Sequence, residues 1–154
     1  MLRIRKAIAT DIEAVNELTF EMHNHLGSLV GIKFTMEDLK EEMYEDTEDL
    51  KNVHVAEVDG KVVGYMSFSP QAEENEFFGK YYHLYHVAVK PKFRRKGIAT
   101  KLFATLLEKA KQEHANIVGG TFLLNKPALR FARKMGFKPI ETVLILDSTR
   151  RLKV

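Results

Sequence analysis

The stretch from residue 81 to residue 100 constrains this chain more than any other. It opens with nine residues rich in aromatic and β-branched side chains and passes into a turn where five of the seven residues from 90 to 96 are basic. Gly97 follows, and after it Ile98, Leu102, Phe103, Leu106, Leu107 and Ala110 recur on one face, which predicts a helix from Gly97 to about His114. Residues 117–124 then read as a strand. A strand, a helix and a second strand at this spacing form a parallel crossover. In an open sheet, ligands collect at the carboxyl end of such a strand, here from Val89 to Thr100.

The remaining elements are laid out around that unit. Residues 3–7 are a short strand candidate. Thr10 is a candidate N-cap, with Glu13 three residues on, for a helix presenting Ile12, Val15, Leu18 and Met22. Gly27 and Gly31 are expected to break the chain. Thr35 with Asp38 is a second capping pattern, opening a helix to about Asp46. Asp59-Gly60 between two apolar runs, 53–58 and 61–68, is a strong hairpin signal. Residues 69–80 are an acidic loop, 127–135 a short helix with Pro127 in its first turn, and 139–146 one or two closing strands. The order is β-α-α-β-β-β-α-β-α-β. It predicts a mixed α/β fold whose central sheet is mostly antiparallel, with helices flanking it and one parallel β-α-β crossover.

With 154 residues and no Pro-, Gly- or Ser-rich linker, the whole chain is expected to form a single domain. The absence of cysteine excludes disulfides, a thiolate nucleophile and a Cys-based zinc site, and points to the cytoplasm. No uncharged apolar run approaches the ~18 residues of a membrane span. Net charge is only +3, so its distribution matters more than its sum. The cationic strip at 90–96 and the basic end at 150–153 stand against acidic clusters at Glu41, Glu42, Glu45, Asp46 and at Glu73, Glu74, Glu76.

A helix start behind basic residues offers free N–H groups and the positive end of the helix dipole, which suit a diphosphate. Gly97 permits close approach, Ala99 is small and Arg94 adds a cation. The same run also reads as a solvated basic loop before an ordinary helix. A dinucleotide fingerprint needs three spaced glycines and a P-loop needs Gly-Lys-Ser/Thr. This stretch has one glycine, in the order Lys96-Gly97.

Arg94-x-x-Gly97-x-Ala99 resembles the pyrophosphate pattern of the GNAT superfamily of N-acetyltransferases. The flanks agree: an apolar strand ending at Val89, Pro91 two residues later, and a helix opening on Ile98. Asn125-Lys-Pro-Ala128-Leu-Arg-Phe131-Ala-Arg-Lys134-Met-Gly-Phe137 resembles the family's second motif, and the element order agrees from end to end. The resemblance implies acetyl-CoA as donor, an amine as acceptor, and central strands that splay to admit the pantetheine arm. Main-chain groups of Val87, Ala88 and Val89 would face that arm. Arg94, with the N–H groups of Arg95, Lys96, Gly97, Ile98, Ala99 and Thr100, would hold the diphosphate. Asn125 and Lys134 would stand beside the cofactor, and Gly119-Gly120 would allow close backbone approach.

For the chemistry, period two along the strand places His83, Tyr85, Val87 and Val89 on one face and His86 on the other with Leu84 and Ala88. By resemblance, His83 stands where histone-acetylating members carry Glu, and His83 with Tyr85 are the catalytic candidates. His86 is expected to be structural. One departure is clear: many members place a Tyr acid where this chain has Ala132, which cannot donate a proton. Tyr85 or a water would substitute. His23 and His25, at i and i+2, do not face each other on a helix, so no metal site is expected. Acetyl transfer to a small-molecule or peptide amine is therefore expected. A degenerate member that binds acyl-CoA without turnover is the alternative. Neither nucleic acid nor membrane is an expected partner, and an exposed last strand at 143–146 would allow pairing in a homodimer.

Overall fold

The computed structural model describes residues 1–71 and 73–153. Its frame is a five-stranded sheet of β1 (Leu2–Lys6), β2 (Val53–Val58), β3 (Lys61–Pro70), β4 (Tyr81–Val89) and β5 (Asn116–Gly119), in the spatial order 1-2-3-4-5. Neighbouring strands are antiparallel except β4 and β5, which run parallel and are joined by α2 (Ile98–Gln112). The other helices are α1 (Ile12–Leu29) and α3 (Lys126–Met135). The mixed, mostly antiparallel sheet with one crossover matches the fold read from the sequence.

The chain divides into two compact units. One comprises residues 1–19 and 42–120, the other 20–41 and the chain from 121 onward. The first holds the sheet. The hairpin between β2 and β3 forms at the predicted place, where Asp59 and Gly60 both take positive φ, 50° and 78°, as a tight two-residue turn requires. β3 is buried continuously from Val62 to Phe68, the signature of a strand covered on both faces. On one face Met66, Phe68 and Tyr82 pack with Ile98, Leu102, Leu106 and Ala110 of α2. Burying a side chain such as Leu102 or Leu106 contributes about 2 kcal/mol. On the other face lie Tyr65 and the buried residues Val15, Leu18 and Thr19 of α1.

The first turn before α1 differs from expectation. A 3-10 turn, Ala9–Asp11, precedes the helix, and Asp11 rather than Glu13 accepts the N–H of Ile8, at 2.8 Å. Arg5 explains the choice. Its guanidinium bonds both oxygens of Asp11, at 2.7 and 3.0 Å, and reaches Glu57 at 2.6 Å. Residues 35–46 are not the expected helix. Thr35 and Asp38 make their reciprocal cap, but only the turn Lys40–Glu42 is helical. Asn16 takes both the N–H and the C=O of Tyr44, at 2.8 and 2.9 Å, which holds that backbone out of a helix.

In the second unit α1 runs past Gly27 to Leu29. Gly27 serves close approach instead of stopping the helix, since a Cβ there would lie 2.5 Å from the Ile32 carbonyl oxygen. The expected strand at 117–124 ends at Gly119, and residues 139–146 form no strand among the described residues. No helix among the described residues is long and apolar enough to cross a membrane.

Two stability predictions arise here. Replacing Asp11 by Ala removes one of the two carboxylates that pair the half-buried Arg5 and should destabilise by about 2 kcal/mol in urea unfolding. Burial raises the Asp11 pKa, but the bonds from Arg5 and the Ile8 N–H outweigh it and the net shift is downward. Its contribution should therefore survive to pH ~4 and be lost only as pH falls below the ordinary aspartate range. His54 behaves differently: burial, with Lys6 and Lys109 nearby, lowers its pKa. The unfolded chain then binds the proton first, so stability should already decline below pH ~6.5. In the His54→Phe variant that portion of the decline should vanish.

Candidate functional site

The site begins where two strands part. β4 pairs with β5 only from Tyr81↔Asn116 to Leu84↔Gly119, whereas it pairs with β3 as far as Val89↔Gly64. From residue 85 to residue 89 the edge of β4 on the β5 side is therefore open. Gly119 sits where the strands diverge, and a Cβ there would lie 3.1 Å from the Leu84 carbonyl oxygen. At Gly120 a Cβ would meet nothing within 4 Å, so close approach belongs to Gly119 alone.

The ladder determines which main-chain groups line this edge. Lys90 N–H bonds the Val63 carbonyl at 2.8 Å. In an antiparallel ladder bonding residues alternate, so Ala88 also faces β3 while Val87 and Val89 point their N–H and C=O toward the open side. The Val89 carbonyl accepts Nε–H of Arg94 at 2.9 Å, which ties the following loop back to the strand end. Of the three expected contact residues, Val87 presents its amide to the gap without such a tie, and Ala88 presents its to β3.

The loop after β4 is built to turn N–H groups outward. A 3-10 turn, Pro91–Phe93, leads to Arg94, Arg95 has φ 63° and Gly97 has φ 77° as the N-cap of α2. Left-handed residues in such turns bring successive N–H groups together around an anion. In the first turn of α2 the N–H groups of Ile98, Ala99 and Thr100 have no carbonyl one helical turn earlier. Lys96 Nζ lies 5.5 Å from the Phe93 ring and Lys90 Nζ 4.0 Å from Glu17, while Lys92 and Arg95 are exposed. The loop thus combines oriented donors with exposed positive charge at the end of the open edge.

The face assignment of β4 needs correction. Its register against β3 shifts between Ser67 and Phe68: His86 pairs with Ser67 and Leu84 with Phe68, leaving Tyr85 as an extra residue in a bulge. Cross-strand partners share a face. Leu84, Val87 and Val89 therefore lie with Phe68 and Met66 on the α2 side, where they pack against the core. His83 and Tyr85 do share a face, with ring centroids 4.5 Å apart, but His86 joins them there. Tyr85 is half exposed, and its hydroxyl oxygen accepts from Ser69 at 3.0 Å.

His86 bonds the hydroxyl of Tyr65 through Nδ1 at 3.1 Å, and that hydroxyl lies 2.7 Å from Thr19 Oγ1. Burial raises the pKa of Tyr65, and Tyr44 nearby raises it further; burial also raises that of Tyr44. Both phenols stay protonated at neutral pH. From the sequence, His86 is expected to be structural and on the opposite face, and neither Tyr65 nor Thr19 is marked. The available signal was the adjacent polar pair Tyr85-His86, which breaks strand alternation and marks an inserted residue.

In the second unit, Asn125 is the N-cap of α3 and its side-chain oxygen accepts the Ala128 N–H at 3.4 Å. Lys134 lies in the last turn of that helix, and Ala132 occupies a position with no proton to give. His23 and His25 lie within α1, and His23 makes an edge contact with Phe34.

Comparison with known proteins agrees with this geometry. Residues 13–137 match the profile described as the acetyltransferase (GNAT) family. An N-alpha-acetyltransferase of Sulfurisphaera tokodaii is 30% identical over 149 residues, spanning 92% of this chain and 83% of that protein. Among solved structures, a possible acetyltransferase from Clostridium difficile 630 superposes with TM-score 0.73 at 17% identity, covering 97% of this chain and 98% of the other. An aminoglycoside N-acetyltransferase in complex with CoA superposes with TM-score 0.71 at 18% identity, covering 97% and 95%. These two structures share the fold. With the family profile matching most of its length and a relative 30% identical over nearly the whole chain, the chain belongs to the GNAT family of acetyltransferases.

Proposed function

We propose that this protein transfers the acetyl group of acetyl-CoA to an amine by direct attack of the amine on the thioester, with the whole chain acting as one catalytic domain. The observation that carries the reading is the open edge of β4 over residues 85–89, which ends at the cationic, donor-rich loop. The N–H groups of residues 95–100 hold the diphosphate, with Arg94 and Lys96 as added charge. The Val87 amide bonds the pantetheine arm, beside Ala88 and Val89. A CoA-bound fold neighbour supports this donor, and Asn125 and Lys134 stand in a stretch that resembles the family's second motif.

A primary amine with pKa ~10 must lose a proton before it attacks. Negative charge then grows on the thioester oxygen, where a main-chain N–H of the gap edge stabilises it. Tyr85 takes the place of the absent tyrosine at 132 as donor to the departing thiolate: its oxygen accepts from Ser69, so its own proton is available. His83, its ring tilted 31° against that of Tyr85, borders the acceptor end. The acidic loop, with Glu73 and Glu74 beside Gln71, Asn75 and Tyr81 at an open depression, favours a cationic acceptor. Ala132 motivates a second reading, an acyl-CoA sensor without turnover.

CoA at about 100 times its dissociation constant should stabilise the fold by about 2.7 kcal/mol, a Tm rise of roughly 5–10 °C. A flat melting temperature in millimolar CoA and acetyl-CoA would remove the enzymatic reading altogether. A clear rise without thiol release across polyamines, aminoglycosides, amino acids and peptide N-termini would leave the sensor. Tyr85→Phe should lower kcat about 10-fold, less than the usual 10²–10⁴ for acid–base catalysis, because a thiol of pKa ~8.5 is already a fair leaving group. Gly97→Ala meets no atom within 4 Å, so its effect is the left-handed strain alone. It should lose about 1 kcal/mol of stability and weaken CoA binding, read by urea titration and calorimetry.

A further inference from the structure

The segment that follows the helical turn Lys40–Glu42 is tied to the sheet side of the fold by side chains distant in sequence. Asn16 of α1 bonds both main-chain groups of Tyr44, at 2.9 and 2.8 Å, and Asp49 accepts the N–H of Glu45 at 2.7 Å. The Tyr44 ring meets that of Tyr65 edge-on, with centroids 6.3 Å apart, and Tyr65 meets His86 edge-on at 6.1 Å. These ties leave Glu42 beside β4, where one of its carboxylate oxygens lies within 4.8 Å of a ring nitrogen of His86. All of these residues belong to the first unit. His86 directly precedes Val87, whose amide faces the open edge.

Glu42 is exposed and forms no ion pair among the described residues. The lysines nearest to it along the chain and at the end of β4 are engaged elsewhere: Lys40 with Glu37 at 2.9 Å, Lys51 with Glu48 at 3.7 Å, and Lys90 with Glu17 at 4.0 Å. The charge is felt inside the fold. Burial raises the pKa of Tyr44, and Glu42 and Asp49 push it the same way. Opposite His86 in the ladder, the Ser67 hydroxyl is buried and makes no hydrogen bond at ordinary distance, although the Tyr44 phenol is near enough to be influenced by it. An uncompensated carboxylate beside aromatic rings and an unmet hydroxyl is an environment for a cation with N–H groups to donate.

We propose that Glu42 holds a second, non-reacting cationic group of the acceptor, so that the protein selects amines carrying at least two positive charges; this rests on the acetyltransferase reading above. The charge is better used on a second group than on the reacting one. A carboxylate against the reacting nitrogen would raise its pKa and keep it protonated, which opposes attack. The same carboxylate bound to a second ammonium anchors the acceptor and leaves the first free to lose its proton. The acidic loop at Glu73 and Glu74 adds attraction at long range, whereas the direct contact belongs to Glu42. Asn16 is the positioning residue, because it fixes the backbone two residues beyond the carboxylate.

The test uses the full chain with acetyl-CoA and a series of linear α,ω-diamines of increasing length, each compared with the monoamine of the same chain length. At the best length, kcat/KM for the diamine should exceed that for the monoamine about 10-fold, mostly through KM, and the preference should fade as salt is added. Glu42→Gln keeps the shape and removes the charge. It should bring the ratio to about one at every length, with the CoA-induced Tm rise retained as evidence of an intact fold. The double variant Glu73→Gln, Glu74→Gln should keep most of the ratio. Three results overturn the assignment while leaving the acetyltransferase reading intact: no diamine preferred over its monoamine, a preference that survives Glu42→Gln, or a preference lost in the loop variant instead. CoA binding without acetylation of any amine also overturns it and favours the sensor. Should CoA fail to raise the Tm of the wild-type protein, the acetyltransferase reading falls as well.

Discussion

The site depends on one local irregularity, the extra residue in β4 opposite the step from Ser67 to Phe68. Without it, strict alternation would carry His86 into the apolar face beneath α2, where its polar nitrogens would lack partners. Val87 and Val89 would leave the core they now help to fill. One inserted residue thus serves two needs. It keeps valine against leucine and isoleucine below the sheet, and it collects His83, Tyr85 and His86 above it. A bulge also sharpens local twist, which suits a strand about to part from its neighbour.

The mostly antiparallel sheet, the hairpin, the crossover and the basic loop were all legible in the sequence because each has a short-range cause. Asp59-Gly60 encodes its turn by conformational preference, and α2 encodes its buried stripe by period. The loop encodes charge and a glycine that only a left-handed backbone requires. Those signals survive without knowledge of what packs against them. They account for the strands at 2–6, 53–58, 61–70, 81–89 and 116–119, whereas the further strand expected at 139–146 does not form among the described residues.

What was not legible depended on side chains distant in sequence. The cap at Asp11 is chosen by Arg5, six residues away, and by Glu57 on another strand. The segment at 35–46 contains a sound capping pair, yet Asn16 holds Tyr44 in a non-helical backbone from 28 residues away. The bulge shows in the sequence only as a break in alternation at Tyr85-His86, and strict period two carries the face assignment past it. The network through Thr19, Tyr65 and His86 links a helix to two strands over 67 positions in the chain, and no local pattern marks it.

Gly119 has a consequence for size selection. Because its missing side chain lets β5 touch Leu84 and go no further along β4, it fixes one end of the open edge, and Arg94 at the Val89 carbonyl fixes the other. Five residues at ~3.3 Å each make a slot of about 16 Å. Such a slot works as a ruler. On the proposed acetyltransferase reading, a donor anchored by its phosphates at one end would deliver its acyl carbon to Tyr85 only if its extended arm matched that length, so a shorter thioester would bind yet stop short.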